Sequence, residues 1–286
     1  MTTLTVSKRS DAGGEFNPLR AVKQLWFQRD LIGQLTRREV AMRYRGTVLG
    51  MVWSFVTPLL MLAIYTFVYS VIFHATWPEA GQDRGTSRAT FGLILFAGLI
   101  PYQLLAEVLT KSPLLIIGSP NYVKKVIFPL EILPVVTVLS ATVHSVISLL
   151  ILLAGMLIFR HEISMTLWML PLVYVPLMLL SVGVGWFLSS LGMYIRDASQ
   201  AIAPIVQMLA FLAPVFFPIT LVPAAIRWVY YLNPLTMIVS GYRQTTVFDQ
   251  SVSLMGWSLC TAVGLLAALA GYIWFEKTKS GFADVL

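Results

Sequence analysis

The sequence predicts an all-α polytopic membrane protein: one transmembrane domain over residues 1–286, with six transmembrane helices, an N-terminal amphipathic interface helix, and broken re-entrant half-helices before the last span. Three observations carry that expectation. Of the 286 residues, 57% are hydrophobic and only 12% charged, with mean hydropathy +0.78, whereas a soluble domain carries roughly 25% charged residues. From Thr47 to Phe73 there is no charge, a run longer than the ~20 apolar residues that cross ~30 Å of hydrocarbon. Fifteen of the 20 Lys and Arg fall in segments 1–49, 111–129, 192–200 and 276–286. Six spans put those segments on one side, which the positive-inside rule makes the cytoplasmic side, with both termini. The net charge of +7 is then a membrane-edge signal and does not call for nucleic acid.

Residues 1–22 are polar, with Gly13-Gly14 and Asn17-Pro18, and read as a tail. Over residues 23–45, at ~100° per residue, Leu25, Phe27, Leu31, Ile32, Leu35 and Met42 share half the circumference, while Arg29, Thr36, Arg37 and Arg43 sit on or beside the other half. Arg38 breaks the pattern. Such a helix lies on a lipid surface, and its fusion to the first span also suits it to be a lever pushed from the cytosol. Spans are expected at about 50–73, 90–110, 130–159, 165–191, 199–217 and 254–275. Between the second and third, Pro113, Gly118 and Pro120 break the chain before a short helix, Tyr122 to Ile127, carrying Lys124 and Lys125.

The stretch 201–250 is too long for one span and is interrupted by Pro204, Pro214, Pro218, Pro223 and Pro234. Proline-broken backbone is tolerated at membrane depth only when buried in protein or lining a cavity. Two half-helices, about 223–232 and 234–247, are therefore expected to dip in and out of the outer face as a re-entrant region. Trp53, Trp77, Trp168, Trp257 and Trp274 fall near expected span ends, where indole prefers the interface. Cys260 is the one cysteine, so no intrachain disulfide forms. The first apolar run is too long and too late for a cleavable signal, and the chain is expected to insert by its own spans.

There is no G-x-x-x-x-G-K-[ST], and His74, His144 and His161 are scattered without metal-ligand spacing. The sequence therefore offers no catalytic residue, no metal site and no cofactor site of its own. Glu107, Glu131 and His144 are the ionisable residues inside spans. Each reads either as an interfacial or helix-to-helix hydrogen-bonding group or as a functional one, and His144 is the deepest. Tyr65, Tyr69 and Phe73 recur every four residues and share one face of span one, while Phe211, Phe216 and Phe217 belong to span five. A tyrosine hydroxyl facing lipid at mid-depth would lack a partner, so these rings either pack helices together or line a path.

Several stretches resemble the membrane subunits of type-2 ABC exporters: Arg37-Arg38-Glu39-Val40, Arg43-Tyr44-Arg45-Gly46-Thr47-Val48-Leu49-Gly50, Trp53-Ser54, Pro58-Leu59, the run from Asn121 to Pro134, and Leu232-Asn233-Pro234-Leu235-Thr236 followed by Tyr242-Arg243. Among those exporters the chain is most similar to permeases for lipid-linked polysaccharide such as O-antigen and capsule. The resemblance implies a permease homodimer on two copies of a separate ABC ATPase subunit, which binds the ATP and Mg, in the inner membrane. It implies ATPase coupling through Arg37, Arg38, Glu39, Arg43 and Arg45 of the interface helix and through Asn121, Tyr122, Lys124 and Lys125 of a coupling helix. It also implies a substrate path along Tyr65, Tyr69, Phe73, Phe211, Phe216 and Phe217, where aromatic rings stack on sugars. The same machine with another amphiphile (a teichoic-acid precursor, a glycolipid or a drug) fits these residues too. A membrane-embedded transferase would need clustered polar residues, for which His161-Glu162 is thin support.

Overall fold

The computed structural model describes residues 18–74, 77, 88–123 and 128–285, and every regular element among them is helical. The helices are α1 (Pro18–Phe27), α2 (Arg29–Arg43), α3 (Trp53–Tyr65), α4 (Arg88–Leu115), α5 (Pro120–Val123), α6 (Ile132–Arg160), α7 (Leu170–Tyr194), α8 (Ala198–Leu212), α9 (Arg227–Leu232), α10 (Pro234–Thr246), α11 (Leu254–Lys279) and α12 (Phe282–Val285). A 3₁₀ turn, Gly50–Val52, leads into α3, and a π-helix, Thr66–Ile72, continues it. Five stretches are long and apolar enough to cross a membrane: Gly50–Ile72, Ala89–Leu115, Ile132–Arg160, Met165–Tyr194 and Leu254–Lys279.

The expected fifth span is where the structure departs. Helix α8 has 15 residues, about 22 Å at ~1.5 Å per residue, which falls short of the ~30 Å hydrocarbon core. It ends because Ala213 turns extended (φ −101°, ψ 127°), and Pro214 and Pro218 have no N–H with which to resume a helix. The expected single interface helix is also two. Pro18 opens α1 five residues early, and the chain breaks at Gln28 (φ −94°, ψ 8°) before α2 begins. Helix α4 does not stop at residue 110 but carries both Pro101 and Pro113 and runs to Leu115. Residues 1–17, most of the loop before α4, and Lys124 and Lys125 lie outside the described residues.

Helix α4 is the axis of the bundle. Leu93, Ile94, Leu95, Phe96 and Ala97 are consecutive and all buried, so this helix is covered on every side, as a hydrophobic-all-round helix must be. Its neighbours are α3, α6, α7, α8 and α10. One end of the bundle gathers α1, α2, α5 and the last turn of α11, and with them most basic residues. There Glu131 is buried, accepts a hydrogen bond from the Gln24 amide, and pairs with Lys279 Nζ at 2.9 Å. At the opposite end, Arg160 donates to the Val247 carbonyl at 2.6 Å, and Ser164 Oγ lies 2.8 Å from the Thr245 carbonyl. The Ser164 hydroxyl and the Thr166 amide hold the Asp249 carboxyl below its ordinary range.

The π segment has a consequence for α3. Trp53, Thr57, Met61, Tyr65, Tyr69 and Phe73 are each four apart. In an α-helix four residues overshoot one turn by about 40°, so such a row drifts round the axis. A π turn holds more residues, and four of them fall short of a turn. The drift built up over α3 is thus reversed from Thr66 onward, and the upper aromatic rings stay on one side.

Helices α7 and α11 make the closest pair, and glycine permits it. A Cβ added at Gly271 would fall on the Gly183 carbonyl, and one added at Gly183 on the backbone of Ala267 and Ala268. We expect Gly271→Val to lower the unfolding free energy by about 2 kcal/mol through overpacking. Gly256→Ala on the same helix, where the new Cβ meets only ordinary contacts near 3.7 Å, should leave it unchanged. Thermal unfolding of the detergent-solubilised protein separates the two.

Candidate functional site

At the basic end, a charged cluster joins the surface helix to the bundle. Glu107 follows from the four-residue spacing Glu107–Lys111 on α4, which puts the two side chains on one face. Its Oε1 lies 2.8 Å from Lys111 Nζ and 2.6 Å from Arg43 Nη1 of α2. Lys111 also reaches Glu39 Oε1 of α2 at 3.0 Å. Two residues of the surface helix, one turn apart, are therefore tied to one turn of the central helix.

His144 of α6 stands beside this ring. Its Nδ1 is 3.1 Å from Glu107 Oε2 and 2.8 Å from Arg43 Nη1. A single ring nitrogen accepts from the guanidinium or donates to the carboxylate, but not both at once. Its Nε2 is buried with no hydrogen-bond partner among the described residues. The Tyr44 ring meets the imidazole edge-on at 6.1 Å. Further along α2, Arg38 Nη1 donates to the Tyr122 hydroxyl at 3.2 Å, which links α2 to α5. Tyr122 stacks on Phe128 at 4.3 Å.

The residues proposed for coupling therefore divide. Glu39 and Arg43 face the bundle's own helices, and Arg38 bridges to Tyr122. Arg37, Arg45 and Asn121 are exposed. Lys111 was not singled out from sequence, although its spacing from Glu107 was the available signal. Nor was the Glu131–Lys279 pair, whose members lie 148 residues apart.

The second arrangement is a wall of aromatic rings between α3 with its π extension and the end of α8 with the chain just beyond it. Tyr69 lies stacked on Phe216, with centroids 5.7 Å apart and planes 5° apart. Tyr65 contacts the same ring at 5.5 Å, Phe211 contacts it at 5.7 Å, and Phe73 meets Tyr69 at 5.8 Å. Five of the six rings singled out from sequence are thus one cluster. Phe217 is apart from it, since its ring packs edge-on against Tyr230 of α9 at 6.1 Å. Phe73 and Phe211 are exposed in the single chain, and the other three are half-buried.

Arg243 of α10 positions that wall. Its side chain is buried, with Nε donating to the Ile94 carbonyl at 3.0 Å and Nη1 to the Pro214 carbonyl at 2.8 Å. Nη2 donates to the Val215 carbonyl, and the guanidinium sits 4.5 Å over the Trp77 ring. Pro214 and Val215 belong to the non-helical segment that leads to Phe216, so their carbonyls have no helix to satisfy them. Gly98 leaves the space, because a Cβ there would collide with the guanidinium. The sequence marked Arg243 only through its place beside Tyr242 and gave no sign of this cage.

A family model described as ABC-2 type transporter matches residues 30–247. The chain is 24% identical over 259 residues to an O-antigen export system permease protein of Klebsiella pneumoniae, covering 90% of this chain and 95% of that one. A protein of the same description from Myxococcus xanthus is 22% identical, with 93% and 99% covered. The polysialic acid transport protein of Escherichia coli is 23% identical, with 86% and 93% covered.

The Arg243 cage makes a graded prediction. Arg243→Ala leaves three buried carbonyls without these donors and should cost roughly 3 kcal/mol or more. Arg243→Lys keeps the charge but replaces a rigid fork by one ammonium, and should fall between. Equal stability of all three proteins by thermal unfolding would contradict the assignment.

Proposed function

The chain belongs to the ABC-2 type transporter family of membrane subunits, and from that premise we propose that it is the permease of an ATP-driven exporter of lipid-linked polysaccharide, of the O-antigen or capsule kind. Membership implies a membrane location and a separate ABC ATPase as partner. The finer reading is two permease copies on two ATPase subunits in the inner membrane, with both termini in the cytoplasm. ATP and Mg belong to the ATPase, and this chain supplies no catalytic group. In that arrangement α8 to α10 complete the sixth crossing with short, proline-broken pieces.

The polysaccharide is supported by the names of the relatives, two for O-antigen export and one for polysialic acid transport. The observation that carries it on this chain is the aromatic wall of Tyr65, Tyr69, Phe73, Phe211 and Phe216. Ring faces pack against the C–H faces of sugars without a fixed hydrogen-bond code, which suits a polymer that slides. The basic end then faces the cytoplasm, where the ATPase would engage Arg37, Arg38, Arg45, Asn121 and Tyr122, together with Lys124 and Lys125. Force on α2 would reach α4 through Arg43–Glu107 and Glu39–Lys111, and α4 meets, through its Ile94 carbonyl, the Arg243 cage that holds Phe216 in place.

The test is the triple variant Tyr65→Leu, Tyr69→Leu, Phe73→Leu. Leucine is apolar and a good helix former, so packing is largely kept, at a cost of about 1–3 kcal/mol where the fit worsens. Surface glycan per permease should fall at least fivefold while the yield of permease–ATPase complex stays at the wild-type level. Normal export by this variant would reduce the wall to helix packing.

A further inference from the structure

The basic end holds a cleft of about 300 Å³ between α3, α4 and α6, which the coupling network does not fill. Trp53, Thr57, Gln103, Tyr44 and Ser145 line it, together with the faces of Arg43, Glu107 and His144. Polar groups from three helices rarely converge at membrane depth without a ligand or a path. The charges beside the cleft are already spent on one another. Glu107 is held by Arg43 and Lys111, and Glu39 by Lys111, so two cations stand against two carboxylates. The Arg43 guanidinium lines the cleft but is paired with Glu107 through Nη1, so these two cations and two carboxylates sum to zero charge.

Beside that balanced cluster the lining offers an occupant neutral groups: the Gln103 carboxamide, the Thr57 hydroxyl, the Trp53 indole and the Tyr44 phenol, while the Ser145 hydroxyl is held by Tyr174 at 2.6 Å. A carboxamide both donates and accepts, as a sugar hydroxyl does, and an indole face covers a sugar's C–H face. Trp53 and Thr57 are also the first two members of the row that climbs through Met61 to Tyr65, Tyr69 and Phe73. The cleft therefore stands at the foot of the aromatic wall, on the same helix.

We propose that this cleft is a loading site for one uncharged sugar unit of the cargo on the cytoplasmic half of the membrane, read by Gln103 and Trp53, with phosphate groups left outside it. This rests on the polysaccharide reading above and adds to it a site separate from the wall.

The direct test places a reporter on the cleft without touching its polar groups: Ala106→Cys, with Cys260→Ser to remove the one native thiol. Ala106 lines the cleft on α4. The permease–ATPase complex in nanodiscs is alkylated by a small maleimide in the presence of octyl glucoside, octyl sulfate or octylphosphocholine at equal concentration. The glucoside should slow alkylation at least threefold, and the other two should not. Equal protection by all three would mean that only the chain binds, and greatest protection by the sulfate would mean an anion site. Either result, or no protection at all, overturns the proposal. In cells, Trp53→Leu with Gln103→Leu should cut surface glycan at least threefold while complex yield holds. Unchanged export overturns the loading site but leaves the exporter standing. Failure of the wild-type chain to restore surface glycan to a strain lacking it would instead remove the polysaccharide reading itself.

Discussion

One carboxylate joins the surface of this protein to its interior. Glu107 sits on the central helix and holds Arg43 of α2 and Lys111 one turn away, while Lys111 holds Glu39. The Arg43 side chain is 43% exposed and that of Glu107 15%. A pair so placed contributes only about 1 kcal/mol or less by itself, which is weak enough to be exchanged during a working cycle. The network gains direction from its geometry: both ties run from one face of α2 to one turn of α4. His144 adds a second arrangement, because its Nδ1 serves either Arg43 or Glu107. A junction with two hydrogen-bonding solutions is the kind of bistable element that transmitted motion requires.

The two ends of α4 then have complementary roles. Near its start, the Ile94 carbonyl receives Arg243, whose guanidinium also gathers the carbonyls of Pro214 and Val215. That cage holds the backbone just beyond the end of α8, and with it the position of Phe216 against Tyr65 and Tyr69. Near its finish, Glu107 and Lys111 receive the surface helix. A single covered helix thus connects the proposed point of force to the proposed path. The glycine-mediated contact of α7 with α11 gives that helix a rigid neighbour.

Much of this was legible in the sequence because the membrane imposes simple patterns. Five long apolar stretches, the basic asymmetry and the four-residue aromatic row all follow from local spacing. The aromatic face was read from α-helical geometry, and the rings meet Phe216 with a π segment that no simple pattern announces. The early end of α8 was harder to see. Pro214 and Pro218 marked irregular backbone, and Ala213, the residue before Pro214, is the one that turns extended, but no local pattern announced that Arg243 of a distant segment takes up the Pro214 and Val215 carbonyls. The division of the surface helix at Gln28 was hidden as well, because both pieces share one apolar face over a continuous basic pattern. Glu39 and Arg43 were assigned to coupling by their place in the resemblance alone. Only the tertiary approach of Lys111 and Glu107 reveals their ion pairs to α4.

The claim that motion of the surface helix reaches the path through Glu107 is tested most directly by export per ATP hydrolysed. The measurement compares wild type with Glu107→Gln, each as permease–ATPase complex in proteoliposomes. Glutamine keeps the shape and removes the charge that holds Arg43 and Lys111. Hydrolysis should continue, with export per ATP lowered about tenfold. Hydrolysis and export per ATP both at the wild-type level would contradict it.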